Sequence, residues 1–192
     1  VRVVSTHSQT LSGTLGHTFV GCAFPAPEPV RSRLVEYAGR AGRALAARGV
    51  LGHLSIDFLV GEGDAVLALE TNLRMGGATA PFALLEGLLA GRCEARDGRY
   101  LHPDGDERCY VASDRVHRPA LEGRTAAEAI TAVERSGLAF RPDSGTGVAL
   151  FALGAVGEFG KLGILAVERS AAKAEELFDA ALEALDGVTR PH

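Results

Sequence analysis

Two carboxylates and one amide recur at strand-like spacing within a short part of the chain. Asp57 lies in the run 55–60, and Glu70 and Asn72 lie in the run 68–77. Their oxygens are hard ligands of the kind that Mg²⁺ prefers, and Mg²⁺ usually completes its octahedral shell with phosphates. The residue types therefore indicate a magnesium site, provided that the two runs present these side chains on one face.

Both runs alternate with period two, and residues 61–64 (Gly-Glu-Gly-Asp) have turn composition, which together predict an antiparallel β-hairpin. With an even-numbered turn, Asp57 would face Ala68. Ser55 would then face Glu70. The two carboxylates and the amide would share one face, with the carboxylates as diagonal neighbours about 7–8 Å apart. An odd register would turn the aspartate to the other face and remove the metal site.

The residues just after this hairpin suit a phosphorylated ligand. The guanidinium of Arg74 can bind a phosphoryl group through two parallel donors. Gly76 and Gly77 let backbone N–H groups approach an anion without obstruction by a Cβ atom. Alternatives remain open: an edge hairpin with solvated polar residues, a salt bridge from Arg74 to Glu70, and a plain turn at the two glycines.

The hairpin with its arginine and glycine pair resembles the metal hairpin of the ATP-grasp ligases. More narrowly, four segments are similar, in this order, to the pheganomycin-type peptide ligases: Ser5–Gln9, Gly21–Ala26, Asn72–Gly77 and Gly157–Gly163. The similarity extends over nearly the whole chain. One departure is Ser8, which stands where the family leads us to expect an acidic residue.

The resemblance implies an ATP-dependent carboxylate–amine ligase. ATP would phosphorylate a carboxylate to an acyl phosphate, and an amine would then attack the acyl carbon to form an amide. In this scheme Asp57 holds one Mg²⁺, Asn72 holds the other and Glu70 bridges both. Arg74 would stabilise charge on the acyl phosphate as the catalytic residue. The residues expected to contact substrate are His7, Gln9, Gly76 and Gly77.

Composition limits the other functional classes. The chain has 192 residues, of which 46% are hydrophobic and 23% charged, as in an ordinary globular protein. Its net charge of −4 and its lack of a basic cluster argue against nucleic-acid binding. Three widely spaced cysteines favour reduced thiols, and no apolar run has the length of a membrane helix. We therefore expect a cytoplasmic protein.

The order of elements predicts an α+β fold with mainly antiparallel sheets packed by helices. We expect an ATP-grasp C-terminal lobe at 1–92 and a small α+β accessory lobe at 93–192. Thr125 and Glu128 predict a capping box at a helix start. The other predicted elements are strands at 1–6, 18–23, 108–113, 147–156 and 162–167, a hairpin at 93–101 turning at Asp97-Gly98, and helices at 30–45, 81–90 and from 170.

The part of such a ligase that grips the nucleotide is not recognisable in this chain. No lysine precedes Lys161, and no glycine-rich phosphate loop is present. We therefore expect the N-terminal nucleotide-binding lobe to be missing and the chain alone to turn over poorly. Two alternatives are a non-catalytic binding module derived from this fold and one half of a split ligase. The carboxylate and amine substrates are not identified by the sequence.

Overall fold

The protein is described here by a computed structural model that covers residues 1–14, 18–94 and 98–188. It has the expected α+β architecture, with antiparallel strand pairs and packed helices. The strands are Ser8–Ser12 (β1), Thr18–Phe24 (β2), Ser55–Val60 (β3), Val66–Asn72 (β4), Arg92–Cys93 (β5), Tyr100–Leu101 (β6), Glu107–His117 (β7), Gly147–Phe151 (β8) and Lys161–Glu168 (β9). The helices are Val30–Ala46 (α1), Thr79–Leu88 (α2), Ala126–Arg135 (α3), Val156–Phe159 (α4) and Ala171–Asp186 (α5).

The chain divides into two compact units, each assembled from two stretches of sequence. The first unit contains Val1–Ser8 and Phe24–Gly105, and the second contains Gln9–Ala23 and the chain from Asp106 onward. The continuous domain boundary near residue 92 stays a prediction. The chain passes from the first unit to the second for the last time between Gly105 and Asp106. Nearly all of β1 and most of β2 also belong to the second unit.

In the second unit, helices α3 and α5 cover a sheet with the strand order β1-β2-β7-β9-β8. The predicted capping box begins α3, because Thr125 Oγ1 accepts from the Glu128 N–H at 3.2 Å while Glu128 Oε2 accepts from the Thr125 N–H at 2.7 Å. The core residues between helices and sheet are Val116, Leu121, Ala129, Val133, Val148, Val156, Leu162, Ile164, Ala166, Ala181 and Leu185.

The strand predicted at 147–156 is shorter than expected. It ends at Phe151, and Ala152 then adopts a left-handed conformation (φ 52°, ψ 39°) that turns the chain out of the sheet. A short 3₁₀ turn and α4 lead into β9. At the other end of β8, Gly147 has a φ of 122°, and a Cβ there would lie 2.6 Å from the Ala139 carbonyl oxygen. Glycine is required at that point.

In the first unit, α1 packs against both strands of the β3–β4 hairpin. Its C-terminal end is followed by Gly49, which has the left-handed conformation (φ 84°) typical of a glycine just after a helix. The β5–β6 pair joins Arg92 with Leu101 and Cys93 with Tyr100. The predicted turn of that pair includes Asp97, which lies outside the described residues.

The prediction of a strand at 1–6 is wrong, since the first strand begins at Ser8. Instead, the Thr6 carbonyl accepts from the Ala26 N–H at 3.1 Å, and the Val4 carbonyl accepts from the Cys93 thiol at 3.1 Å. A strand is defined by a backbone ladder with a neighbour. Within the described part of the chain, no strand forms a backbone ladder with residues 1–6.

All three cysteines are free thiols, with Cys22 and Cys109 buried and Cys93 half-buried. None of the described helices combines the length and the apolar character needed to cross a lipid bilayer.

Candidate active site

The β3–β4 hairpin has a different register from the one predicted. Val60 pairs with Val66 and Phe58 with Ala68, which is the odd register at the turn. A β-bulge then lies between Asp57 and Phe58 on one strand, where the partner strand contains the extra residue Leu69. Beyond the bulge the pairing is offset by one residue.

This bulge restores the arrangement that the odd turn would have destroyed. Asp57 lies directly opposite Glu70, and Ser55 lies directly opposite Asn72. Opposite residues of an antiparallel pair share a face, and residues two apart along a strand do so as well. The two carboxylates and the amide are therefore on one face, although the predicted pairings of Asp57 with Ala68 and Ser55 with Glu70 are wrong.

The side chains of Asp57 and Asn72 are in contact across the hairpin. Asn72 Nδ2 lies 3.5 Å from Asp57 Oδ2, and both residues are half-buried, whereas Glu70 is exposed. Rotating the Asn72 side-chain amide by 180° exchanges Nδ2 and Oδ1, so that Oδ1 lies on the side of Asp57. The three residues then offer carboxylate and amide oxygens from one face. This all-oxygen donor set fits a magnesium ion.

In the part of the chain that the structure describes, the hairpin does not contain a metal site built from His, Cys, Asp and Glu side chains alone. Among the residues that the structure describes, no group of three or more His, Cys, Asp or Glu side chains is placed to hold a metal ion. A metal ion at Asp57 and Glu70 would therefore need Asn72 and oxygens from outside the protein as further ligands. Mg²⁺ is commonly bound in this way, through one or two carboxylates together with water and substrate phosphates.

The loop after β4 folds back onto the start of β3. A Cβ added at Gly76 would lie 2.9 Å from Ser55 Oγ, so only glycine fits there without a shift of Ser55. Thr79 Oγ1 accepts from the Gly76 N–H at 3.0 Å, and the Thr79 N–H donates to the Gly76 carbonyl at 3.0 Å. The glycine loop is thus tied both to the start of α2 and to the face that carries Asp57.

Arg74 extends from this loop into solvent. Its Nη1 donates to the Met75 carbonyl at 3.2 Å, and within the described residues no carboxylate lies at ion-pairing distance from its guanidinium. The alternative of a salt bridge to Glu70 is therefore not realised. Gly77 is exposed in the same loop.

Two residues that sequence reasoning passed over belong to this region. Ser55 faces Asn72 and contacts Gly76, and Thr79 holds the glycine loop at the helix start. The signal for Ser55 was its position two residues before Asp57, which places both side chains on one face. The signal for Thr79 was a hydroxyl residue just before the helix predicted at 81–90, a usual place for a side chain that binds backbone.

His7 lies in an aromatic cluster of the first unit. Its ring centroid is 5.5 Å from that of Phe24 and 6.3 Å from that of Phe82. Burial lowers the pKa of His7 from 6.5 to about 4, which keeps the imidazole neutral at physiological pH. Gln9 is an exposed residue of β1 in the second unit. The expected substrate contacts of these two residues stay predictions.

Comparisons with known proteins show what the whole chain is similar to. The chain is 36% identical, over 97% of its length, to the L-propargylglycine–L-glutamate ligase of Streptantibioticus cattleyicolor. Its fold is similar to the crystal structure of the phosphoribosylaminoimidazole carboxylase ATPase subunit from Aquifex aeolicus, with a TM-score of 0.54, 12% identity and coverage of 94% of this chain and 50% of that chain. The resemblance to the ATP-grasp ligases that the sequence indicated is confirmed.

The remaining comparisons concern the part of a longer protein that this chain resembles. Residues 128–181 match the family described as the PGM1 C-terminal domain. The chain spans 38% of the length of the curated ligase that it matches. The chain thus resembles the C-terminal portion of a longer ligase, and the predicted α+β class is confirmed.

Proposed function

We propose that this chain is the C-terminal, metal-bearing part of an ATP-dependent ligase that joins a carboxylate to an amine. The observation that carries the proposal is the shared face of Asp57, Glu70 and Asn72, beside a loop that carries Arg74. The likeness to an L-propargylglycine–L-glutamate ligase supports amide-bond formation as the reaction class and an amino acid as the kind of substrate.

In this proposal the hairpin holds Mg²⁺, which when bound neutralises charge on the terminal phosphates of ATP. Asp57 and Asn72 each bind a cation, and Glu70 lies opposite Asp57 where it can bridge the two. Because Asp57 and Asn72 are half-buried, their oxygens are held with less solvent competition than those of a fully exposed acid.

Arg74 is proposed to stabilise the phosphoryl group during its transfer to the substrate carboxylate. Its guanidinium has no carboxylate partner within the described residues, so its two-pronged donor face is available to an anion. Gly76 and Gly77 would let the loop backbone approach the same anion without obstruction by a Cβ atom, while Thr79 Oγ1 fixes the loop by accepting from the Gly76 N–H. His7 and Gln9 are proposed as substrate contacts of the complete enzyme.

The decisive experiment measures ADP release by the full-length polypeptide across added carboxylates and amines. We expect Asp57→Asn and Glu70→Gln each to lower the rate at least ~100-fold, because a metal carboxylate is lost. Glu62→Gln removes an exposed acid from the turn of the same hairpin and should leave the rate unchanged. Equal rates in all four proteins would contradict the proposed metal site.

A binding measurement tests separately whether this chain lacks the nucleotide-binding lobe. Titration of residues 1–192 with Mg·ATP should show at best weak binding, since the elements that would grip the nucleotide are not recognisable in this sequence. Micromolar affinity for Mg·ATP would show that this chain does bind the nucleotide by itself.

A second candidate is a non-catalytic module or one half of a split ligase. The retained combination of Asp57, Glu70, Asn72 and Arg74 favours the enzyme, since a scaffold has no need of it. ADP release restored by adding the nucleotide lobe as a separate natural polypeptide would establish the split form. A cytoplasmic location is proposed on the free thiols.

A further inference from the structure

The side-chain amide of Asn72 can take two orientations on the shared face of the hairpin. In the structure Nδ2 is turned toward Asp57 and lies 3.5 Å from Oδ2, which is longer than an ordinary N–H···O hydrogen bond. This orientation does not suit a cation, because a cation at the Asp57 carboxylate would meet an amide N–H in place of an oxygen. Cation binding therefore requires the amide to be rotated.

The rotated amide needs a new hydrogen-bond acceptor. Once Oδ1 is on the side of Asp57, Nδ2 has lost the carboxylate as its partner. Asn72 is half-buried, and an N–H group that is withdrawn from water without a partner costs free energy. The orientation that binds a cation is therefore stable only if another acceptor on the shared face takes the bond from Nδ2.

Ser55 provides such an acceptor. It lies directly opposite Asn72 in the ladder, and residues in this relationship have Cβ atoms about 4.5–5.5 Å apart on one face. A hydroxyl has two acceptor lone pairs in addition to its one donor. Within residues 1–14, 18–94 and 98–188, no hydrogen bond engages the Ser55 hydroxyl.

The glycine loop confines this hydroxyl without using it. A Cβ added at Gly76 would lie 2.9 Å from Ser55 Oγ and 3.4 Å from Ser55 Cβ, so the loop backbone rests directly on the serine side chain. The Gly76 N–H is bonded to Thr79 Oγ1 at 3.0 Å and does not compete for the hydroxyl. Ser55 Oγ is thus held beside the shared face and is available to Asn72.

Glu70 is a second acceptor near Asn72, two residues earlier on the same strand. It is exposed, whereas Ser55 and Asn72 are both half-buried. A bond from Nδ2 to Glu70 would also occupy an oxygen that the proposed function assigns to the cations. A bond to Ser55 leaves both carboxylates of the hairpin to the cations.

We propose that Ser55 is a positioning residue of the metal site, whose hydroxyl accepts a hydrogen bond from Asn72 Nδ2 and so holds Asn72 Oδ1 toward the cation. The inference rests on the proposed function, in which Asn72 is a ligand of Mg²⁺. Ser55 does not itself bind the cation. It selects one of the two orientations of the amide, and a ligand already in its binding orientation gives a higher affinity than one that must first rotate.

The test measures cation binding by the full-length polypeptide in the presence of a non-hydrolysable ATP analogue. Mn²⁺ is the probe, because it accepts the same oxygen ligands as Mg²⁺ and its free form is measured by electron paramagnetic resonance. Ser55→Ala should raise the Kd for Mn²⁺ about 10-fold, since the partner that orients a metal ligand is lost. Thr71→Ala removes a hydroxyl from the opposite face of the hairpin and should leave the Kd unchanged.

An Asn72→Asp background separates orientation of the amide from structural support by the serine. The two oxygens of a carboxylate are equivalent, so an aspartate needs no partner to select between them. In this background Ser55→Ala should change the Kd for Mn²⁺ by less than about 2-fold. An equal loss of affinity in both backgrounds would show that Ser55 only supports the hairpin, and would overturn the proposal.

Asp57→Asn distinguishes a failure of this inference from a failure of the proposed function. If Asp57→Asn weakens Mn²⁺ binding and Ser55→Ala does not, the metal site stands and the role of Ser55 is wrong. If neither substitution weakens binding, the hairpin does not hold the cation, and the proposed function is contradicted together with this inference.

Discussion

Asn72 Nδ2 lies 3.5 Å from Asp57 Oδ2, across two strands whose pairing contains a one-residue bulge. The contact exists because the bulge at Leu69 cancels the odd register at the turn. An uninterrupted odd ladder would have paired Asp57 with Leu69 and placed Glu70 and Asn72 on the opposite face of the hairpin. The metal site proposed here therefore depends on an irregularity of the sheet.

The first prediction concerns charge at this contact. Asn72→Asp should lower the Tm of the metal-free protein by about 2–4 °C, because it places a second carboxylate beside Asp57 at a cost of about 1 kcal/mol. Millimolar Mg²⁺ should remove most of the loss, since the new carboxylate becomes a ligand. Thermal unfolding with and without Mg²⁺ measures both effects.

Thr71→Asp is the matched control for that experiment. It adds the same charge to an exposed residue on the opposite face of the hairpin. Mg²⁺ should not change its Tm relative to the parent. An equal recovery in both variants would show that the ion acts by general screening, and not at the shared face.

The second prediction concerns the glycine loop. Gly76→Ala should cost about 1 kcal/mol, because its Cβ would lie 2.9 Å from Ser55 Oγ. In a Ser55→Ala background the cost should be smaller, since the nearest atom is removed. A double-mutant cycle by chemical unfolding measures this coupling.

Gly87→Ala is the control, and we expect it to stabilise the protein where Gly76→Ala destabilises it. Gly87 lies in α2, and a Cβ there meets nothing within 4 Å. This substitution should stabilise the protein by about 0.5–1 kcal/mol through reduced chain entropy. A cost at Gly76 that persists undiminished without the Ser55 hydroxyl would rule out the proposed contact.

The third prediction concerns pH. Burial among Phe24 and Phe82 lowers the pKa of His7 to about 4, below its ordinary value of 6.5. The unfolded chain therefore binds a proton at a higher pH than the folded one. This contribution to stability is complete above pH 6.5, is lost as the pH falls toward about 4, and amounts to at most about 3 kcal/mol.

His7→Phe keeps an aromatic ring in the cluster and removes the titration. Its free energy of unfolding should fall less steeply than that of the parent between pH 6.5 and pH 4. Chemical unfolding at a series of pH values measures the difference between the two proteins. Parallel curves would mean that folding leaves the pKa of His7 unchanged.

The fourth prediction concerns the second unit. The Arg108 side chain is fully buried, and its guanidinium donates to the Ser144 carbonyl at 2.6 Å and to the Gly145 carbonyl at 3.1 Å. Arg108→Lys should cost about 2–4 kcal/mol, because an ammonium lacks the fork that satisfies several carbonyls at once. Arg115→Lys, at an exposed position of the same strand, should cost under about 0.5 kcal/mol. Equal losses in chemical unfolding would contradict this role.

Local patterns predicted the elements that depend on near neighbours. Thr125 and Glu128 form a capping box because its hydrogen bonds join residues three apart. The hairpin was predictable because its alternation and its glycine turn are contained in fewer than twenty residues. The strand predicted at 1–6 failed for the opposite reason, since a strand needs a ladder with a partner that local composition does not supply.

The amino-acid sequence by itself determined the donor chemistry of this protein: two carboxylates, an amide, an arginine and a glycine pair in strand-like order. Only the tertiary structure decided that Asp57 and Glu70 face one another, since the bulge depends on how the whole ladder and α1 pack together. It also decided that Gly76 rests on Ser55. The residue types can be read directly from the sequence. The register of β3 against β4, in contrast, is set by the summed free energy of many contacts, which no short sequence pattern contains.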